Sequence, residues 1–129
     1  MLGRPQKQPI EKLNKENLVD QISTKKPYVL NPVGDVRIAL LDFGAKANIS
    51  RALVRRGAAV TVLPWDCDFN TIRDNFEGLF LSNGPGDPQQ CWAPAHKLCP
   101  MLEERRKPIF GICMGHQIIV MARDLMLIA

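Results

Sequence analysis

Lys107-Pro-Ile-Phe-Gly-Ile-Cys-Met-Gly-His-Gln-Ile-Ile-Val-Met121 decides the reading of this chain. Pro108 to Ile112 is a short apolar run suited to a buried strand. Cys113 follows, framed by Gly111 and Gly115, and a second apolar run then begins at helical spacing. Strand, sharp turn, helix, with a nucleophile-type residue at the turn: this is the layout of a nucleophile elbow, with Cys in place of Ser. Small residues on both sides let the backbone turn tightly and let a substrate approach. A helix N-terminus at that point directs backbone N–H groups toward the sulfur, an arrangement that favours an anion and hence attack on a carbonyl carbon. A cysteine at the end of an apolar strand is more simply a packed thiol, because free Cys behaves as a small hydrophobe. The two glycines weigh against that simpler reading. Cys67, Cys91 and Cys99 lack such a frame and read as structural.

Working outward, the same alternation of strand and helix recurs upstream. Val36 to Leu41 is a buried-strand pattern, broken at Asp42-Phe-Gly44. Lys46 to Arg56 fits an amphipathic helix with Ile49, Leu53 and Val54 inward and Gly57 as its C-terminal cap. Ala59 to Leu63 reads as a second strand closed by Pro64, Phe69 to Asn75 as a short helix, and Leu79 to Leu81 as a third strand. Ser82 to Pro88 is a loop rich in Gly and Pro, and Ala93 to Arg106 a helix interrupted or bent near Pro100. The opening stretch supplies the fourth strand, and its helix runs to about Arg123. Continuous apolar strands alternating with helices predict an α/β fold, a parallel sheet with helices on both faces. Sites in such sheets lie at the carboxyl ends of the strands. Three special loops fall there: Asp42–Gly44, Ser82–Pro88 and the Cys113 turn. Before Val36, the stretch Asn17 to Pro32 reads as extended, and Met1 to Glu16 as a flexible lead-in.

The totals narrow the function. The chain has 129 residues and a net charge of +4, which suits one domain. Its basic residues fall in separate short runs (Lys25-Lys26, Arg55-Arg56, Arg105-Arg106-Lys107), and two Trp and one Tyr give no stacking platform, so nucleic acid is not an expected partner. The four cysteines form no C-x-x-C pair, and His96 and His116 complete no zinc pattern, so no metal site is expected. No apolar run approaches a membrane span and the N-terminus has no secretory h-region. The expectation is a cytoplasmic protein with reduced thiols.

Four further residues bear on the chemistry. Glycines at Gly84 and Gly86 let the loop backbone approach a substrate, and a Gly84 N–H is suited to stabilise an oxyanion. The N–H of Met114, the residue after the nucleophile, is the second candidate donor. Gln117 stands one helical turn beyond Cys113, where its amide can hydrogen-bond a substrate. His116 starts the same helix and is poorly placed to aim its ring back at the sulfur, and nothing puts His96 near it.

These residues resemble the class I, triad-type glutamine amidotransferases, and more closely the amidotransferase part of glutamine-dependent carbamoyl-phosphate synthase. The matching pieces are Asn17-Leu-Val, Ser23-Thr-Lys, Leu41-Asp-Phe-Gly-Ala-Lys-Ala-Asn-Ile, Arg56-Gly-Ala, Val62-Leu-Pro-Trp65, Gly78-Leu-Phe-Leu-Ser-Asn-Gly-Pro-Gly-Asp-Pro88 and Pro108-Ile-Phe-Gly-Ile-Cys-Met-Gly-His-Gln117. The resemblance implies a flavodoxin-like sheet. It implies Cys113 as the nucleophile on the glutamine side-chain amide, Gly84 and Met114 as oxyanion donors, and Gly84, Gly86 and Gln117 as glutamine-binding residues. It implies a carbamoyl-phosphate synthetase large chain or domain as partner, receiving ammonia and using bicarbonate. ATP and Mg belong to that partner, and no cofactor is expected in this chain. Pyrimidine and arginine synthesis are the pathways served.

The family's catalytic His and Glu lie in a His-Pro-Glu motif downstream of the cysteine, and the sequence reaches Ala129 without one. Past Ala122 a Gly-Ala turn is usual in the family, whereas Arg123-Asp-Leu-Met-Leu-Ile-Ala129 stands here. The expectation is therefore that 36–129 is the first half of the amidotransferase domain and 1–35 a linker or the tail of an upstream domain. Two other readings stand beside it: a non-catalytic interaction module built on the same fold, and another class I amidotransferase or Cys-elbow hydrolase.

Overall fold

A computed structural model describes residues 17–128, so the expected lead-in over Met1–Glu16 lies outside the described residues. Helix α1 (Leu18–Ile22) is followed by strand β1 (Tyr28–Leu30), β2 (Val36–Asp42), α2 (Ala47–Arg55) and β3 (Ala58–Pro64). A 3₁₀ helix (Phe69–Asn75), β4 (Gly78–Leu81), a 3₁₀ turn (Pro88–Cys91), α3 (Trp92–Glu104), β5 (Ile109–Gly111) and α4 (Met114–Ile128) complete the order. The five strands lie in the order β1-β3-β2-β4-β5. β2, β3, β4 and β5 are parallel, with Val36 opposite Ala58, Ile38 opposite Gly78 and Leu81 opposite Gly111.

The period-2 alternation of the strands feeds two apolar layers. Leu40, Val60 and Val62 face α2, whose Ile49, Leu53 and Val54 pack against them. Ala39, Leu41, Leu79 and Leu81 face the opposite way, onto Ala95, Leu98 and Met101 of α3 and Met114, Ile118 and Ala122 of α4. Helices thus cover both faces. Cys99 ties the two helices of the second layer, its sulfur lying 3.6 Å from the carbonyls of both Ala95 and Ala122.

The four expected strands are parallel, and the structure departs from the sequence reading at four other points. The sheet is mixed, because β1 pairs antiparallel with β3, Tyr28 opposite Val62. The connection from Leu30 to Val36 is too short for the crossover that a parallel partner needs. It turns at Asn31 (φ 53°), whose side chain donates to the Ala58 carbonyl at 3.0 Å. Asn17–Pro32 is also not extended throughout: Asn17 caps α1, its side chain accepting from the Asp20 N–H. A helix of that length carries no periodicity to read. α3 is helical throughout with Pro100 inside it, and Arg105 in the left-handed region ends it. α4 continues past Arg123, because Leu125 extends the inward stripe of Ile118 and Ala122.

Candidate functional site

The elbow is built by two close backbone contacts. A Cβ on Gly111 would lie 2.5 Å from the Gly115 carbonyl carbon, and a Cβ on Gly115 would lie 2.2 Å from the Leu81 carbonyl oxygen. Only glycine lets β5 fold back on the start of α4 and lets α4 sit against β4. That is a stronger demand than the substrate access the sequence suggested. The Ile112 N–H donates to Leu81 O at 3.1 Å, the Gly115 N–H to Ile112 O at 2.9 Å, and the Gln117 N–H to Cys113 O at 3.1 Å. Between these bonds Cys113 is held at φ 50°, a left-handed conformation unusual for a residue with a side chain. Strain of this kind persists where the surroundings over-determine it.

The sulfur-bearing residue is exposed, whereas Cys91 is buried and Cys67 and Cys99 are half-buried. Burial pushes the Cys91 thiol up to about 11, with the Asp87 carboxylate adding to it. Burial also raises Cys67, partly offset by the Lys97 ammonium, and raises Cys99 with help from Glu103. In all three the shift favours the protonated thiol. Met114 turns its side chain into the core. Its N–H belongs to the first turn of α4, where helix donors lack intrahelical partners. His116 and Gln117 are exposed on that same turn. His96 stands on α3 with its ring 6.3 Å from that of Trp92.

The glycine loop leaves β4, the strand paired with β5, so Ser82–Pro88 and the Cys113 turn emerge side by side from one end of the sheet. Gly84 lies so close to the β2 loop that a Cβ on it would be 2.0 Å from Phe43 O. Gly86 has φ 88°. Two side chains that sequence reasoning passed over lock these loops together. Asp42, buried at the end of β2, accepts from the N–H groups of Gly44 and Ala45 at 2.9 and 2.8 Å, and from Thr24 at 2.7 Å. Ser82, fully buried, accepts from the Phe43 N–H at 2.9 Å and donates to Asn83 O at 2.8 Å. An Asp at a strand end before Phe-Gly is a recognisable turn signal. The Ser82 bridge has no local signal, because its partner lies in the turn after β2, 39 residues away.

Chemically, the arrangement offers one exposed thiol at a helix N-terminus beside a glycine loop held by buried polar groups. Among the described residues no group of three His, Cys, Asp or Glu is placed to hold a metal ion, and no helix is long and apolar enough to cross a membrane.

The glutamine amidotransferase class-I family model matches residues 39–124. The chain is 48% identical over 107 residues to the carbamoyl phosphate synthase arginine-specific small chain of Chaetomium globosum, a match covering 82% of this chain and 23% of that protein. It is 48% identical over 115 residues to the multifunctional protein CAD of Squalus acanthias, covering 88% of this chain and 5% of that one. Among solved structures it is similar to a Thermoplasma acidophilum protein described as part of a GMP synthase. There the TM-score is 0.54 and the identity 27%, over 65% of this chain and 43% of that chain. The chain therefore spans less than a quarter of the length of either curated relative.

Proposed function

This chain belongs to the class-I glutamine amidotransferases, and from that premise we propose that it carries the nucleophile part of a glutaminase site serving carbamoyl phosphate synthesis. Residues 36–129 are, in this reading, the N-terminal half of the amidotransferase domain, and 1–35 the end of an upstream segment or linker. Cys113 Sγ attacks the side-chain amide carbon of glutamine. The C–N bond breaks, ammonia leaves with a proton, and a γ-glutamyl thioester forms. Water then hydrolyses the thioester to glutamate and restores the thiol. The N–H groups of Gly84 and Met114 stabilise the oxyanion, and Gly84, Gly86 and Gln117 hold the glutamine. Ammonia passes to a carbamoyl-phosphate synthetase large chain or domain, which carries the ATP and Mg chemistry. Arginine synthesis is the pathway that the name of the Chaetomium globosum relative supports, and pyrimidine synthesis is the other pathway that the family resemblance implies. The cytoplasm, where thiols stay reduced, is the compartment that suits four free cysteines.

The observation that supports this reading best is the exposed, left-handed Cys113 at the end of the strand next to the glycine loop. A chloroketone analogue of glutamine is expected to label Cys113, and Cys113→Ser to abolish labelling. Labelling of Cys67, Cys91 or Cys99 instead would sink the site. A general base must lie within about 3 Å of the proton it takes. His96 and His116 are the chain's two histidines, and neither is aimed at the sulfur in this reading. Glutamine turnover by the isolated chain is therefore expected to fall roughly 100-fold or more below that of a complete amidotransferase. Co-purification with a synthetase but no labelling would favour the non-catalytic interaction module.

A further inference from the structure

The segment before the sheet contacts the glycine loop at Gly86 and the chain on either side of that site, at the Asp42–Gly44 turn and at Gln90, although it lies outside residues 39–124 matched by the family. Leu18 of α1 packs under Gly86: a Cβ at Gly86 would lie 3.6 Å from Leu18 Cβ, 3.7 Å from its Cδ1 and 3.8 Å from its Cγ. Ile22, one turn on, lies under Gly44, where a Cβ would meet Ile22 Cδ1 at 2.4 Å and Pro85 Cδ at 3.2 Å. Asn17 donates its side-chain amide to Gln90 O at 3.3 Å, beyond the far end of the loop. Thr24 donates its N–H to Asp42, the carboxylate that shapes the neighbouring turn. The segment is itself anchored. Val19 is buried in the main core, and Ser23 accepts from the Trp65 N–H at 2.9 Å.

We propose that Leu18–Thr24 is a strap that positions the Gly84–Gly86 loop for glutamine, with Leu18 as the positioning residue under Gly86. The proposal rests on the reading of that loop as the glutamine-binding loop. A Gly-Pro-Gly loop has wide conformational freedom. Ligand affinity falls in proportion to the fraction of molecules that hold the binding conformation. Leu18 restricts Gly86 to its φ of 88° by filling the space beneath it, and Ile22 fills the space beneath Gly44 in the neighbouring turn. The strap touches the loop, not the sulfur, so it acts on recognition of the substrate and leaves the thiol's intrinsic reactivity alone.

The test compares two reagents on the full 129-residue chain. The chloroketone analogue needs the glutamine loop, and iodoacetamide needs only the thiol. Leu18→Ala is expected to slow analogue labelling of Cys113 by roughly tenfold, with iodoacetamide labelling within about twofold of wild type. Leu18→Met, which keeps an apolar side chain of similar length, is expected to restore most of the analogue rate. Leu18→Val is expected to give an intermediate loss, and keeps the test readable if the alanine variant fails to fold. Unchanged analogue rates in variants of a selective wild type, or equal losses with both reagents, would overturn the strap alone. A wild-type chain showing no preference for the analogue at Cys113 would overturn the glutamine-loop reading and the strap with it.

Discussion

A single methyl group at Gly115 would sit 2.2 Å from the Leu81 carbonyl oxygen, inside any tolerable contact. Gly115→Ala is therefore expected to destabilise the chain by about 2 kcal/mol or more, seen as a lower urea midpoint, despite the better helix propensity of alanine. Reactivity at the residue scale follows exposure. Iodoacetamide below one equivalent at neutral pH is expected to modify Cys113 ahead of Cys67, Cys91 and Cys99, read by peptide mass spectrometry. Cys91 adds a pH effect. Its thiol is pushed from 9.0 up to about 11. Below pH 9 both folded and unfolded chains keep the proton. Between pH 9 and 11 the unfolded chain loses it first, so stability falls as pH rises. The urea midpoint is expected to drop across that window, and less steeply in Cys91→Ala. Cys113 was legible in the sequence because its glycine frame is local. Asp42 was legible only as a turn residue, since its bonds to Gly44 and Ala45 are local but its bond to Thr24 spans 18 residues, and Ser82 was not legible, because its partner Phe43 is 39 residues away.

At the scale of elements, helix ends obey local chemistry. Arg105 closes α3 at φ 55°, with its N–H bonded to Met101 O at 3.2 Å. Glycine holds that conformation without steric cost, so Arg105→Gly is expected to raise stability by up to about 1 kcal/mol in thermal or urea unfolding. β2, α2, β3 and β4 were readable to within a residue or two, because each carries its full hydrophobic period within a few turns or strand repeats. α1 escaped detection for the opposite reason. Its five residues are held by Val19 in the core and by contacts of Leu18 and Ile22 with the loops that carry Gly86 and Gly44, none of which is visible from its own neighbours. The antiparallel direction of β1 is likewise set by a partner strand distant in sequence, not by its own residues.

At the scale of the molecule, the two edges of the sheet differ. The β3 side is covered by β1. Among the described residues β5 has β4 as its one strand neighbour, and Phe110 on it is 59% exposed. The Phe110 ring lies 5.1 Å from that of Phe80 in a tilted arrangement, and the two help line a groove of about 500 Å³ with Ile49, Leu53 and Ile112. An unpaired apolar edge invites association. The isolated chain is expected to self-associate with rising concentration in sedimentation velocity, and Phe110→Asp to reduce that association without changing its far-ultraviolet circular dichroism.

β2 also has a consequence for how the chain comes to be folded. It is bonded to β3 on one side and β4 on the other, and its pairing with β3 closes over nothing longer than α2. Short-range pairing of this kind costs little loop entropy and forms fast. On the ribosome, β2, α2 and β3 would emerge as a ready template before β4 is made, and the Asp42 turn would already be in place when the glycine loop arrives to lie against it.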